Sequence, residues 1–200
     1  EPEQVVMCHT PMQALAREYG DRRVLVCGKH YGALSEICAS YGFRRVVTAE
    51  ELHRQNPRMY PDIAPGGAPG DAGGAGPAGG AAPGAWAEPF AAVLVMIDPL
   101  AWGRELQLCL DVLRSDGGRP GTLAPDPASG PAVPIFDACA DFEYAADFPV
   151  PRLGAGSFRV ALEALYSATT GGATLAGHRL QTCFGKPHGS SYAFAEAALD

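Results

Sequence analysis

The residues best suited to chemistry gather near one end of the chain, in Gln181-Thr182-Cys183-Phe184-Gly185-Lys186-Pro187-His188. Leu180 to Phe184 is a short apolar run that reads as a buried strand, and Gly185 frees the backbone so that Lys186 stands at the strand's carboxyl tip. Ligands of open α/β sheets collect where strands end, so an ammonium there can meet a phosphate or a carboxylate. The alternative reading is a solvated turn lysine. A second group follows Val133-Pro134-Ile135-Phe136, whose tip delivers Asp137, Cys139 and Asp141. Carboxylates at that position contact a metal or a substrate hydroxyl, or else cap the next helix. A third group, Gly154-Ala155-Gly156-Ser157, starts like a dinucleotide fingerprint but lacks its third glycine and follows prolines rather than a strand. Glycines that admit close packing or a ligand's approach explain it better. Gly28-Lys29-His30 lacks the glycine spacing and hydroxyl of a Walker A loop, and no G-x-S-x-G elbow occurs.

Composition bounds what these groups can serve. The formal charge of −7 and the pI near 5.2 argue against a nucleic-acid surface, which ordinarily needs a basic patch. A small molecule or a protein is the expected partner. No apolar run approaches the ~20 residues of a membrane-spanning helix. The cysteines at 8, 27, 38, 109, 139 and 183 form no C-x-x-C pair, and the five histidines complete no zinc pattern. Thiols at 27, 38, 109 and 183 sit among apolar residues and act as small hydrophobes, which suggests a reduced, intracellular protein.

The elements that must position these residues follow a strand–helix rhythm. Val5-Val6-Met7 precedes Thr10 as an N-cap and Pro11 at the first helical position, with Met12, Leu15, Ala16 and Tyr19 on one face and Gly20 as the stop. Val24 to Gly28 is a strand, and Leu34, Ile37, Cys38 and Tyr41 line the following helix. Val46-Val47 is a strand, and Thr48 with Glu51 is a capping box for a short helix through Leu52 and His53. Ala92 to Ile97 is the strongest strand, followed by a helix with Leu106, Cys109, Leu110 and Leu113 on its apolar stripe. Pro149 and Pro151 mark a loop, Phe158, Ala161, Leu162 and Leu165 line a further helix, and Tyr192 to Leu199 supplies the last one. Alternation of this kind predicts a parallel sheet with right-handed crossovers.

One segment breaks the rhythm. Ala64 to Ala85 holds nine Gly, eight Ala, four Pro and one Asp, a composition unable to bury enough apolar surface to offset its ordering entropy. It reads as the centre of a disordered insert spanning 57–88. A strict three-residue glycine period, which a collagen-like role would need, is absent.

The ordered set Val5-Val6-Met7-Cys8-His9-Thr10-Pro11-Met12, Arg23 to Gly28, Tyr41 to Leu52, Leu106 to Leu113 and Gly185-Lys186-Pro187 resembles the haloacid-dehalogenase-like (HAD) hydrolases of class IIA, and within them the cat eye syndrome critical region protein type. The resemblance covers nearly the whole chain outside the glycine-rich insert. It implies an α/β class IIA (C2-type) cap with a parallel-rich sheet at 21–170. Residues 1–20 and 171–200 would be edge pieces of a HAD Rossmann-like core.

Such enzymes use an Asp-x-Asp pair as nucleophile and general acid/base, a Thr or Ser after a second strand, the lysine of Gly-Lys-Pro, and a late acidic motif that holds magnesium. Lys186 matches the lysine, and the other three have no counterpart in these 200 residues. The resemblance therefore implies a fragment of a magnesium-dependent phosphatase acting on a small phosphorylated metabolite, with catalytic Lys186, substrate-binding Gly185, Cys139 and Asp141, and no metal ligand of its own. The related proteins carry Asn-x-Asp where this chain has Cys139-Ala140-Asp141, so only Asp141 survives of that selector. The type also implies a mitochondrial location and a link to glycerophospholipid metabolism. Two other readings stay open: a catalytically inactive binding or regulatory module derived from a HAD cap, and a nucleotide-dependent oxidoreductase resting on Gly154 and Gly156.

Overall fold

In a computed structural model of the chain, residues 5–61, 84–175, 181–186 and 188–197 are described. Short runs of β-branched and aliphatic residues, buried on both sides, form parallel strands covered by helices. Five such strands, β1 (Arg23–Cys27), β2 (Arg45–Thr48), β3 (Ala92–Val95), β4 (Ile135–Asp137) and a last one at Gln181–Cys183, build one sheet. Every pairing is parallel, and the last strand adds to β4 with Ile135 opposite Gln181 and Asp137 opposite Cys183. A two-stranded antiparallel hairpin, β5 (Glu143–Ala146) with β6 (Phe148–Leu153), stands apart from it, so the strand at Gln181–Cys183 is β7.

Helices fill both faces. A 3-10 turn at Thr10–Leu15 runs into α1 (Ala16–Tyr19); α2 (Tyr31–Ser40) joins β1 to β2, and α3 (Ala49–Gln55) follows β2. Then α4 (Trp102–Leu113) joins β3 to β4, α5 (Ala155–Thr169) follows the hairpin, and α6 (Gly189–Ala197) follows β7. Because strand side chains alternate, two cores form. Leu25, Cys27, Val93, Val95 and Ile135 face Leu108, Val112, Phe158, Leu162 and Tyr166 of α4 and α5. Val24, Val26, Leu94 and Phe136 face Met12, Tyr19, Leu34, Cys38 and Phe43 on the other side.

The sheet order is β2-β1-β3-β4-β7. From β1 the chain moves outward to β2, whereas from β3 it moves the opposite way to β4. The carboxyl ends of β1 and β3 therefore flank the crevice where the winding reverses, the usual ligand position of a doubly wound sheet.

Several expectations change. The loop expected around Pro149 and Pro151 is strand β6; both prolines fit because a two-stranded hairpin has outward-facing positions that need no N–H in the ladder. The strand expected to reach Ile97 leaves the ladder after Val95, and Met96 N–H still donates to the Cys27 carbonyl. The first helix begins as a 3-10 turn whose N-cap is His9; Thr10 Oγ1 instead accepts the Met7 N–H at 2.9 Å. The insert expected at 57–88 has ordered flanks. Asn56 caps a 3-10 turn at Pro57–Met59, and Ala85–Ala87 forms another that seats Trp86 against the core. Leu180, Pro187, Leu199 and residues 62–83 lie outside the described residues. The capping box does form, with Glu51 N–H donating to Thr48 Oγ1 at 3.1 Å. All six cysteines are free thiols.

Candidate functional site

At the reversal point β1 ends in Gly28, whose φ of +154° and position against Ile97 let the exits of β1 and β3 lie together; a Cβ there would sit 3.0 Å from the Ile97 carbonyl oxygen. His30 follows in the left-handed region with φ 55° and opens α2. Beneath this turn, Glu105 of α4 is fully buried and accepts the Gly28 N–H at 3.0 Å and the Tyr31 hydroxyl. Arg104 Nη2 donates to the Tyr31 hydroxyl oxygen at 2.9 Å. Burial pushes the Glu105 carboxyl up to about 7, against the lowering pull of its hydrogen bonds and of the Arg104 charge.

Asp98, at the exit of β3, is clamped from two sides. Its Oδ1 accepts the Ala155 N–H at 2.8 Å, so the N-terminus of α5 rests on a carboxylate, and its Oδ2 lies 3.5 Å from Lys29 Nζ. A cavity of about 290 Å³ opens here, lined by Lys29, Asp98, Trp102, Tyr144 and Leu153. Lys29 and Asp98 thus put a cation and an anion at the mouth of the crevice, each about one-third exposed.

Further along the edge, β4 delivers the residues expected from sequence. Asp137 is 2% exposed, and its Oδ2 lies 3.7 Å from Arg159 Nε on α5. Cys139 is half-buried and its Sγ accepts the Asp141 N–H at 3.4 Å, while Asp141 itself is exposed. The loop 138–142 is held by three glycines. Gly154 N–H and Gly156 N–H donate to the Phe142 and Asp141 carbonyls at 2.8 and 2.9 Å. A Cβ on Gly156 would fall 2.3 Å from the Ala140 oxygen, and one on Gly185 would fall 2.4 Å from the Ala138 oxygen and 2.7 Å from Cys139 Cα. The structure therefore brings Gly185 and Cys139 into contact, and leaves Lys186 and Asp141 facing solvent. Gly154 and Gly156 act in close packing.

The described carboxylates do not fit a magnesium ion. Asp98 is committed to Lys29 and the start of α5, and Asp137 to Arg159. Among the described residues no group of three or more His, Cys, Asp or Glu could hold a metal. A cavity of about 590 Å³ at the C-terminal end of α4, bordered by Arg58, Trp86, Leu110, Asp111 and Arg114, lies away from the strand tips and gathers no nucleophile–base pair. Among the described residues no helix is long and apolar enough to cross a membrane.

Sequence reasoning missed Lys29, Asp98 and Glu105. Lys29 was weighed only against a Walker loop, and Glu105 sits one position before the apolar stripe of α4. Both gain their meaning from partners 69 and 77 residues away. A glycine directly after a buried strand, followed by Lys, was the available signal.

No family model matches the chain. It is 30% identical over 199 residues to the mitochondrial hydrolase YKR070W of Saccharomyces cerevisiae, covering 99% of this chain and 52% of that protein. It is 29% identical over 194 residues to a cardiolipin synthase (CMP-forming) / mitochondrial hydrolase fusion protein of Schizosaccharomyces pombe, covering 96% of this chain and 29% of that protein. The chain is thus similar, along nearly its whole length, to proteins named hydrolases, and it spans about half of the first and under a third of the second.

Proposed function

We propose that this chain is the cap-bearing part of a HAD-type class IIA hydrolase, a phosphatase that acts on a small phosphorylated metabolite through an aspartyl-phosphate. Residues 21–170 supply the cap, and 1–20 and 171–200 lead to and from the catalytic core. Gly185 is the observation that supports this most. Its missing side chain lets the Gly-Lys turn close on Ala138 and Cys139, so a lysine follows the carboxyl end of a parallel strand beside a loop that carries the exposed Asp141. The similarity to two proteins named hydrolases supports the reaction class, and their printed names support a mitochondrial location. Fusion of one relative to a cardiolipin synthase supports a substrate from glycerophospholipid metabolism.

On this reading an aspartate outside the 200 residues attacks phosphorus, Lys186 offsets charge on the phosphoryl oxygens, and water then hydrolyses the acyl phosphate. Asp141, with Cys139 beside it, meets the substrate's leaving group. Magnesium is assigned to carboxylates outside this stretch.

Inorganic phosphate titrated into the chain tests the pocket. Amide shifts at residues 185–186 and 139–141, lost in Lys186→Ala, are expected; shifts that persist in the variant, or none at those residues, sink the assignment.

A further inference from the structure

The cavity of about 590 Å³ beside the C-terminal end of α4 falls within the ~300–1,000 Å³ typical of small-molecule sites. Its walls are fixed by hydrogen bonds. Asn56 Oδ1 accepts the Arg58 N–H at 3.3 Å and caps the 3-10 turn that brings Arg58 and Met59 to the lining. In the turn after α4, Thr122 Oγ1 accepts the Asp116 N–H at 3.0 Å and donates to the Arg119 carbonyl at 2.7 Å, while Ala124 N–H donates to the Arg114 carbonyl at 2.8 Å. Gly121, with φ +83°, lies so near the Trp86 ring that a Cβ would sit 3.1 Å from it, so the indole is wedged between that turn and the core. The cavity is therefore preformed.

Its lining sorts by chemistry. Met59, Trp86, Leu110 and Leu123 give it an apolar wall, and Leu123 is 67% exposed, so a ligand laid over it removes apolar surface from water. Arg58 and Arg114 line the same space, and among the described residues neither guanidinium has an ion pair or a hydrogen bond. Asp111 lines it too, but its Oδ1 accepts Gln107 Nε2 at 2.8 Å, and burial pushes its carboxyl up. In a chain of net charge −7, two cations left without bonded partners around one cavity are suited to an incoming anion. With Asp111 ionised the lining keeps one net positive charge, which suits a monoanion better than a dianionic phosphate ester. We propose that this cavity binds a small organic carboxylate with a flat apolar body, the carboxylate held by Arg58 and Arg114 and the body set against Trp86, Leu110 and Leu123. The cavity lies away from the strand tips, so its occupant is a second ligand and not the ester that meets Lys186.

Naphthoate, a monoanion on a flat ring system, is titrated into the isotope-labelled chain, with naphthylmethanol as its neutral counterpart. Naphthoate is expected to give saturable amide shifts at 58–59, 107–114 and 121–123 and a shift of the Trp86 indole N–H, with a dissociation constant below about 1 mM. Removing one charge-assisted contact is expected to weaken binding about tenfold, whether by naphthylmethanol in place of naphthoate or by Arg114→Met or Arg58→Met. Arg114 is also the C-cap of α4, where a cation suits the helix dipole. A purely structural role there lowers the unfolding midpoint of Arg114→Met and leaves the affinity of the folded variant unchanged, which overturns the proposal. Arg58 is exposed, so Arg58→Met tests the cavity without that complication. No saturation at millimolar naphthoate, equal affinity for naphthylmethanol, unchanged affinity in Arg58→Met, or shifts confined to 139–141 and 185–186 overturns it as well. The phosphate titration followed at 185–186 reports on another place in the fold, so either result stands when the other fails.

Discussion

At the scale of single residues, Glu105 carries the strongest electrostatic consequence. Its carboxyl is buried among Gly28, Tyr31 and Arg104, and its value of about 7 in the folded chain stands above the 4.5 of an ordinary glutamate. The folded state therefore binds the proton more tightly than the unfolded state, and the sign of the linkage follows. Stability from this group is fully present below about pH 4.5, declines as pH rises toward 7, and is flat beyond it. At ~1.4 kcal/mol per unit, the loss across the window is about 3 kcal/mol. Glu105→Gln keeps an acceptor for the Gly28 N–H and cannot titrate. Urea unfolding at pH 5 and pH 8 is expected to show the decline in the parent and a flatter difference, by ~2–3 kcal/mol, in the variant. Equal differences in the two proteins contradict the burial argument. His9 and His53, held below the usual histidine range chiefly by burial, shift stability in the opposite direction in both, so the comparison cancels them.

Among the elements, the contact between the start of α5 and the loop after β4 decides whether the strand tips are shaped correctly. Gly156 is inside that contact, where an added Cβ meets a backbone oxygen at 2.3 Å that no side-chain rotation can relieve. Gly156→Ala is expected to cost ~1–3 kcal/mol by overpacking. Gly32, within α2, has nothing within 4 Å of the same position, so Gly32→Ala is expected to gain ~0.5–1 kcal/mol from helix propensity alone. Opposite signs in thermal or urea unfolding bear out the packing role; a stabilising Gly156→Ala removes it. The same elements show what the sequence made legible. Strands β1 to β4 were readable because each is a short apolar run flanked by turn residues, and α3 because Thr48 and Glu51 stand three apart, a purely local relation. Hairpin β5–β6 was not, since its exposed Tyr144, Phe148 and Val150 follow no buried alternation and its prolines argue against a strand. The Lys29–Asp98 pair and the Glu105 cluster were hidden for another reason. Their partners meet only after the sheet has assembled, and no local spacing encodes that meeting. Lys186, by contrast, was legible as a residue after a strand, and its exposure matches the solvated turn lysine that the sequence also allowed.

For the whole molecule, the question is whether a sheet with one lysine at its edge can turn over a phosphate ester. An ammonium ~4 Å from a unit charge is worth about 1 kcal/mol in water and about 4 kcal/mol near a protein surface. Enzymes lower barriers by about 8 kcal/mol or more, so even the larger figure leaves at least half to other groups. Lys29 cannot make up the difference, because its charge already faces Asp98, and Asp137 is committed to Arg159. Among the described residues a buried apolar cluster covers each face of the sheet, so a folded chain that binds phosphate without hydrolysing it is the physical expectation. A purified 200-residue chain, given magnesium and a generic phosphate ester, is expected to show no turnover above the uncatalysed rate. Magnesium-dependent turnover that disappears in Lys186→Ala would show that a nucleophile and a metal site lie within these residues after all. The division of labour between cap and core would then have to be redrawn.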